Sequence, residues 1–342
     1  MSCFAVTPPD EAPLPASFDD MPAEQHTHAY GVDYVRLDRA VGGQVWVTRD
    51  GWRVIDHVLP TTWFCHQEYA RDGEKLATGT GSVFHVPTIS EATGRRQELV
   101  IKFSRVGQDV PVLVSDTFLN YLPTGLTEEA DFADPFYEFG MLEALRRSHE
   151  GQPGERPIRT AKPLAIYSPP REYPVWQLGR HAARFDTRKR LLDANVAAVR
   201  DAGALGPESA EVELLLNRDY ILIYEWVKGR DAEQLHRDGL VPEAEMIALT
   251  QATADLMRSR GFVVIDHKPR HLICRPRRPA RPDHPHRDRR AAGQPIRRPD
   301  PVTGQPTLAW ALIDYELLLP WPDHPRRPTF PGLADQLAAS RG

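Results

Sequence analysis

The chain has 342 residues, enough to bury a sizeable core in one two-lobed domain or in two small domains. Its formal net charge of −5 gives no overall argument for nucleic acid as a partner. Its three cysteines, Cys3, Cys65 and Cys274, lack pair spacing, which argues against a disulfide framework or a cysteine zinc site and favours a reducing compartment.

The N-terminal part up to about residue 30 is rich in proline and acidic residues, which predicts disorder. It has neither the basic start nor the long apolar core of a signal peptide, and no apolar run in the chain approaches the length of a membrane span. We therefore expect a cytoplasmic protein without a membrane partner. Residues 31 to 75 are expected to form a β extension, because Gln44 to Ile55 holds an Asp50-Gly51 turn signal and so predicts a hairpin.

Two neighbouring segments combine glycines with a lysine at the end of an apolar run. Glycine lets a backbone turn tightly between two strands and approach phosphates. Leu99-Val100-Ile101-Lys102-Phe103 predicts a strand that carries Lys102. Taken alone, the glycines form a plain turn about as often as a phosphate site, and such a lysine is usually an exposed strand end. The glycine segment runs from Leu76 to Val86 and contains Gly79, Thr80, Gly81 and Ser82.

A helix is predicted around Tyr137 to Leu145. Counted from Glu138, three apolar residues follow at the three, four and seven positions that share one helix face: Met141, Leu142 and Leu145. This spacing makes Glu138 the candidate functional carboxylate of the helix, although a glutamate on a helix is usually a solvated residue.

Further along, a strand is predicted at residues 163–167 and a helical insertion at about 182–203, with Asp186 as its N-cap candidate. The basic first turn of that helix could meet an acidic substrate, but a solvated face is the commoner outcome. A further strand is predicted from Ile221 to Glu225, followed by a connecting segment up to Gly229. Another helix is predicted from Pro242 to Gly261 on five apolar positions: Ile247, Leu249, Ala254, Leu256 and Met257.

The run from Val263 to Ile273 carries the strongest chemical pattern. An apolar strand delivers Asp266, Lys268 follows two positions later, and the metal-capable His271 lies five positions after the aspartate. Phosphoryl transfer to a hydroxyl needs such a set: a carboxylate that orients the acceptor, a cation near the moving group and a metal ligand. Leu312-Ile313-Asp314 delivers a second carboxylate in the same way. Each aspartate alone could be a turn former at a strand end.

Residues 275 to 306 differ from the rest of the chain. They contain eight prolines and nine arginines against three aspartates. Such a stretch cannot bury enough apolar surface to offset chain ordering, so a disordered basic loop is predicted. Its charge could recruit an acidic partner. Nucleic acid is the less favoured partner, because the loop lacks interleaved aromatic residues.

In this order, over roughly residues 76 to 320, these segments resemble the eukaryotic-type protein kinase superfamily. The resemblance implies an α+β, two-lobed protein kinase-like fold: an antiparallel N-lobe sheet with one helix (76–227) and a reduced, mostly helical C-lobe (228–320), with a tail at 321–342. Only 28 residues follow Asp314, too few for the helices that form a peptide-substrate platform. The chain therefore resembles atypical, minimal bacterial-type members of the superfamily, similar in plan to RIO kinases and lipopolysaccharide kinases.

The resemblance implies ATP as the phosphoryl donor and Mg²⁺ or Mn²⁺ as the metal. Lys102, held by Glu138, would contact the α- and β-phosphates, and the glycine segment Gly79 to Ser82 would cover them. Asp266 would orient the acceptor hydroxyl while Lys268 neutralises the γ-phosphoryl group. The remaining implied contacts are metal binding by Asp314 and His271, adenine binding by the backbone of Glu225 and Val227, and ribose binding by Asp231.

The chain departs from the family pattern at several of these positions. Val264-Ile265 stands where the family has His-Arg, His271 replaces an asparagine, and Asp314-Tyr315-Glu316 stands for Asp-Phe-Gly. Phe84 occupies the position of the third glycine. Three functions therefore stay open: a phosphotransferase acting on a hydroxyl of a small molecule or protein, a pseudokinase that binds nucleotide, and a nucleic-acid-associated protein that uses the basic loop.

Overall fold

The computed structural model describes residues 14–38, 43–76, 82–90, 93–110, 122, 126, 130–206, 208–276, 294–299 and 306–333. They form an α+β fold built on an eight-stranded antiparallel sheet, so the predicted class and the antiparallel sheet are confirmed. No helix in these ranges is long and apolar enough to cross a membrane.

The large sheet has the spatial order β1-β2-β3-β7-β8-β6-β5-β4. Strand residues alternate between its two faces, since successive side chains of a strand point in opposite directions. On β8, for example, Leu222 packs with one core cluster and Ile223 with the other. The strands are β1 (His26–Ala29), β2 (Val32–Leu37), β3 (Gln44–Thr48), β4 (Glu74–Lys75), β5 (Val83–Ile89), β6 (Arg96–Phe103), β7 (Pro163–Ser168) and β8 (Ile221–Glu225).

Helices cover both faces of this sheet. The short helices α1 (Arg49–Trp52), α2 (Ile55–Val58), α3 (Pro60–Trp63) and α4 (Glu68–Arg71) lie on one side, where Trp52, Val58 and Trp63 are buried with strand residues. On the other side lies α5 (Pro135–Arg147), whose Phe136, Phe139 and Leu142 are buried. The later helices are α6 (Ala182–Asp201), α7 (Ala232–Arg237) and α8 (Glu243–Ser259).

The predicted hairpin at residues 44–55 is wrong. The chain leaves β3 and enters α1, because the Thr48 hydroxyl accepts a hydrogen bond from the Gly51 N–H at 3.1 Å and caps that helical turn. Gly51 then lies so close to the backbone of Leu164 in β7 that a Cβ atom would overlap it. The glycine therefore permits close packing instead of a hairpin turn, and most of residues 49–71 is helical rather than β.

The predicted disorder up to residue 30 is also wrong for residues 14–30; residues 1–13 lie outside the described ranges. Phe18 is buried, and β1 pairs with β2, so the large sheet continues past β7 through β3, β2 and β1. The backbone N–H of Tyr30 donates to Asn195 Oδ1 at 2.7 Å. Tyr30 also packs against α5 at Gly140. The N-terminal extension thus supports the helix that carries Glu138.

Replacing Gly140 with alanine is expected to lower the free energy of unfolding by about 1–3 kcal/mol, because a Cβ there would lie 2.6 Å from the backbone oxygen of Tyr30. The steric cost outweighs the gain in helix propensity on changing glycine to alanine, which is about 1 kcal/mol. Urea unfolding measures the difference. Gly206→Ala is the control, since its Cβ would meet nothing within 4 Å. A Gly140→Ala protein as stable as the parent would contradict the packing argument.

The part of the chain after residue 228 is less helical than expected. Besides α7 and α8, its described residues include seven short strands in small antiparallel sheets. Part of the predicted disordered loop belongs to one of these sheets, because residues 297–299 pair with 306–308; residues 277–293 and 300–305 lie outside the described ranges. The strands are β9 (Arg230–Asp231), β10 (Phe262–Val264), β11 (Leu272–Cys274), β12 (Arg297–Pro299), β13 (Pro306–Leu308), β14 (Trp310–Leu312) and β15 (Leu318–Pro320).

Helices α6 and α8 are present as predicted, but the predicted N-cap of α6 and one predicted apolar position of α8 are wrong. Helix α6 begins at Ala182, four residues before the predicted N-cap Asp186, and the basic side chain of Arg184 pairs with Asp131 at 2.7 Å. In α8 the predicted apolar position Ile247 is 36% exposed. Its buried face instead holds four residues, two of them polar: Leu249, Thr250, Thr253 and Met257.

Candidate functional site

Two antiparallel strand pairs assemble the centre of the candidate site. Strand β11 pairs with β14, Leu272 opposite Leu312, and the Ile313 N–H donates to the His271 carbonyl at 2.9 Å. This pairing brings Asp314 next to His271. Strand β10 pairs with β15, and the Ile265 N–H donates to the Leu317 carbonyl at 3.2 Å, which holds the following Asp266 close by.

Asp266, His271 and Asp314 form a cluster, the acidic triad, that could hold a metal ion. One ligand atom from each residue lies within 4.8 Å of the others. His271 Nε2 is 3.5 Å from Asp314 Oδ2. Asp314 has φ of 67°, a left-handed conformation that is uncommon for a residue other than glycine and occurs preferentially at functional sites. His271 and Asp314, predicted to converge as metal ligands on the phosphates, lie next to each other, and Asp266 joins them; their binding of a metal stays a prediction.

The protonation states within the triad suit a cation. Burial lowers the pKa of His271 despite the nearby carboxylates, so the imidazole is neutral at pH 7 and its nitrogens can bind a metal. Its Nδ1 is buried without a hydrogen-bond partner among the described residues. Burial alone would raise the pKa of Asp314, but the charge of Lys102, joined at low pH by that of protonated His271, outweighs it and lowers that pKa to about 2. Two carboxylates and one neutral imidazole fit a divalent ion, and Mn²⁺ better than Mg²⁺.

Lys102 connects this triad to α5. Its Nζ lies 2.9 Å from Glu138 Oε1, 3.3 Å from Asp314 Oδ1 and 3.3 Å from Glu316 Oε2. Burial would lower the pKa of Lys102, but the three carboxylates raise it well above its usual value. Lys102 is therefore a fixed positive charge, and its predicted pairing with Glu138 is present.

Sequence reasoning missed two residues that shape this charge cluster. The Tyr224 hydroxyl donates to Glu138 Oε1 at 2.5 Å, so β8 helps to hold the carboxylate toward Lys102. Glu316 was noticed only as a departure from the family pattern; here it contacts Lys102, and burial raises its pKa to about 7. Its position two residues after Asp314 was the available signal, whereas Tyr224 gave none beyond its place in an apolar strand.

Asp266 lies beside a cation, and a buried hydrogen bond of the neighbouring histidine supports its loop. Its Oδ2 lies 2.8 Å from Lys268 Nζ. Next to it, the buried His267 ring bonds to the Thr253 hydroxyl at 2.8 Å, which connects this loop to α8. Burial lowers the pKa of His267 to about 4, so this support stays neutral at physiological pH. The polar buried face of α8 is thereby explained by its contact with the loop.

Of the other predicted residues, those that the structure describes do not belong to the triad. Gly79, Thr80 and Gly81 lie outside the described residues, while Ser82 is exposed and its carbonyl accepts from the Phe103 N–H, next to Lys102. Asp231 caps α7 by accepting from the Gln234 N–H at 2.7 Å. The strand and hinge residues Glu225 and Val227 line a cleft of about 710 Å³, here called the hinge cleft. Lys102, Asp266, His271 and Asp314 are absent from its lining.

Comparison with known proteins finds no protein-family model and no curated protein that matches this chain. The site therefore has to be interpreted from its own chemistry. A fixed cation, a metal-capable triad and an aspartate beside a second lysine can together bind a metal-bound polyphosphate and orient a hydroxyl group.

The N-cap of α5 gives a pH-dependent prediction. Asp134 accepts hydrogen bonds from the N–H groups of Phe136 and Tyr137, both at 3.0 Å, and burial raises its pKa to about 6. The folded state therefore binds a proton more tightly than the unfolded state, so stability falls as pH rises from about 4 to 6. Asp134→Asn keeps the cap without the charge.

Relative to Asp134→Asn, the parent protein is expected to lose about 2–3 kcal/mol of unfolding free energy between pH 4 and pH 7. Urea unfolding at a series of pH values measures this change. Asp201→Asn, at an exposed residue, is the control. A constant difference between parent and Asp134→Asn across that range would show that Asp134 has no raised pKa.

Proposed function

We propose that the protein is an ATP-dependent phosphotransferase of the protein kinase-like superfamily, which transfers the γ-phosphoryl group to a hydroxyl of a small molecule or protein. One observation carries the proposal. The Lys102–Glu138 pair adjoins Asp314, and Asp314 shares the acidic triad with His271 and Asp266. Residues from widely separated parts of the chain thus meet in one place, in the combination that phosphoryl transfer requires.

The order of strands supports the same proposal. Strand β5, which follows the glycine segment, lies beside the lysine strand β6, with Val83 opposite Lys102. On the other side of β6 lies β8, which leads into the hinge. Helix α5 packs on this sheet and supplies Glu138. These neighbours are those that a kinase-like N-lobe needs in order to place a nucleotide between its glycine segment and the hinge.

Each residue then has a defined role. Lys102 would contact the donor phosphates, and Glu138 with Tyr224 would hold it in place. Asp314 and His271 would bind Mg²⁺ or Mn²⁺, which neutralises phosphate charge when bound. Asp266 would accept a hydrogen bond from the acceptor hydroxyl and orient its oxygen, and Lys268, 2.8 Å from that carboxylate, would balance the charge of the group in transit.

A pseudokinase, a nucleotide-binding regulatory module without catalysis, is the second candidate. The observation that favours it is Glu316, which contacts Lys102 at 3.3 Å where the family has a glycine. With Glu138 and Asp314 also within 3.3 Å, Lys102 is already surrounded by carboxylates before any phosphate arrives. Phosphoryl transfer, as opposed to nucleotide binding alone, separates the two candidates.

ATP with Mn²⁺ or Mg²⁺ is expected to stabilise the folded protein by about 2.7 kcal/mol at a hundredfold excess over Kd, seen as a rise in melting temperature. Lys102→Met should remove most of that rise. The control is Lys189→Met, at a lysine on α6 that pairs with Asp193 on the same helix. An unchanged melting curve at millimolar ATP with either metal would refute nucleotide binding. Binding without any ATPase or transfer activity would favour the pseudokinase.

A further inference from the structure

The hinge cleft has a strongly basic lining. Six lysines and arginines line it, against three glutamates. Most of the six have partners: Arg146 pairs with Glu143 and Asp50, and Lys228 pairs with Glu98. The six are Arg146, Arg147, Arg159, Lys162, Lys228 and Arg275.

Arg159 and Arg275 are the exceptions. Neither side chain makes an ion pair or hydrogen bond with any other residue in the described ranges. Both are anchored through their backbones on either side of β14: the Arg159 carbonyl accepts from the Leu312 N–H at 2.8 Å, and the Arg275 N–H donates to the Ala309 carbonyl at 3.1 Å. The two arginines thus line one cleft, and no carboxylate of the described residues forms an ion pair with either of them.

A third arginine adds to this charge. Arg298, on β12, also lacks a side-chain partner among the described residues. Partial burial lowers the pKa of Arg159, and the charges of Arg298 and Arg275 lower it further. The positive charges of these three arginines repel one another, and this repulsion is energetically unfavourable. An anion bound between them removes that repulsion, and the planar guanidinium fork suits phosphate oxygens in particular.

The remaining walls and the size of the cleft define the ligand further. Half-buried Trp226 and Trp310 line it, and the ring of Trp226 is stacked on His85 at 4.1 Å. A volume of about 710 Å³ accommodates a ligand of nucleotide size. We propose that the hinge cleft is a second anion site, separate from the acidic triad, that binds an oligophosphate group, either as inorganic oligophosphate or as part of a nucleotide.

Isothermal titration of the full-length protein in EDTA tests this, with inorganic tripolyphosphate and metal-free ATP as probes. Asp314→Asn is run in parallel to show that the triad is not the site. Tripolyphosphate is expected to bind both the parent protein and Asp314→Asn. The double change Arg159→Ala/Arg275→Ala is expected to weaken that binding at least tenfold. Arg159→Lys/Arg275→Lys should recover part of it, because charge remains and the fork is lost. Arg200→Ala/Arg237→Ala, at two exposed arginines outside the cleft, is the matched control.

Each outcome decides the proposal. Tighter binding of ATP than of tripolyphosphate through the same arginines identifies a nucleotide as the source, and equal binding identifies the phosphate chain alone. If the cleft double variant and the control double variant lose the same binding affinity, general surface charge explains the effect and the proposal is overturned. The proposal is also overturned if neither tripolyphosphate nor ATP binds at millimolar concentration. Binding of a single-stranded oligonucleotide but of neither probe would overturn it as well. If the double variant fails to fold, the single changes Arg275→Ala and Arg298→Ala at exposed residues replace it.

Discussion

Asp266→Asn is expected to lower kcat for phosphoryl transfer by about 10²–10⁴-fold, because a carboxamide cannot accept the acceptor proton or hold the hydroxyl in the same way. The affinity for ATP should change little, since Lys102, Glu138 and Asp314 remain in place. Transfer of labelled phosphate from ATP to candidate acceptors measures the rate, and the rise in melting temperature with ATP reports binding.

Asp255→Asn is the control for this experiment, because Asp255 is an exposed residue of α8. The variant Lys268→Ala should lower kcat as well, since it removes the cation 2.8 Å from Asp266. Equal activity of Asp266→Asn and the parent would remove Asp266 from the mechanism. ATP binding by the parent protein without any measurable transfer would instead favour the pseudokinase interpretation.

Asp314→Asn is expected to weaken Mn²⁺ binding in the presence of ATP at least about a hundredfold, since even the outer partners of metal ligands contribute 10–100-fold. Asparagine tolerates the left-handed conformation of residue 314, with φ of 67°, so the backbone should be preserved. Metal titration of the melting temperature, followed by electron paramagnetic resonance of free Mn²⁺, measures the affinity.

Variants of His271 test the other proposed metal ligand separately. His271→Asn replaces the imidazole with an oxygen donor and is expected to shift the metal preference from Mn²⁺ toward Mg²⁺. His271→Ala should weaken both metals, because nothing replaces the ligand. The buried His57, bonded to Thr88 at 2.9 Å and far from the triad in sequence, supplies the matched control His57→Asn. If all His271 variants keep the metal preference of the parent, His271 is not a metal ligand.

Local patterns were sufficient for much of the fold. The three, four and seven spacing after Glu138 placed Met141, Leu142 and Leu145 on a buried face, because helical periodicity can be read from the sequence. The pairing of Glu138 with Lys102 was expected from the resemblance to the kinase family, and the two side chains are in contact. Likewise, apolar runs ending in a charged residue located β6 and β8. These features depend on neighbours within a few positions.

Where a local signal was overruled, tertiary packing was the reason. Asp50-Gly51 is a common hairpin turn, yet the backbone of Leu164 approaches Gly51 so closely that glycine is needed there for packing, and Thr48 caps a helical turn. The proline-rich N-terminal part was predicted to be disordered, but Tyr30 finds partners at Asn195 and Gly140 that lie more than a hundred residues away.

The sequence by itself determined which residues can carry charge and bind metal: Lys102, Glu138, Asp266, His271 and Asp314 stand at strand ends or on a helix face that their neighbours define. Only the tertiary structure decided that they meet. The register of β11 on β14 places His271 beside Asp314, 43 residues apart in the chain. The tertiary structure also brings Glu316 against Lys102, and it places Arg159 and Arg275 at the hinge cleft without a side-chain partner among the described residues. Register follows from how apolar faces fit across the whole fold, and no local pattern contains that information.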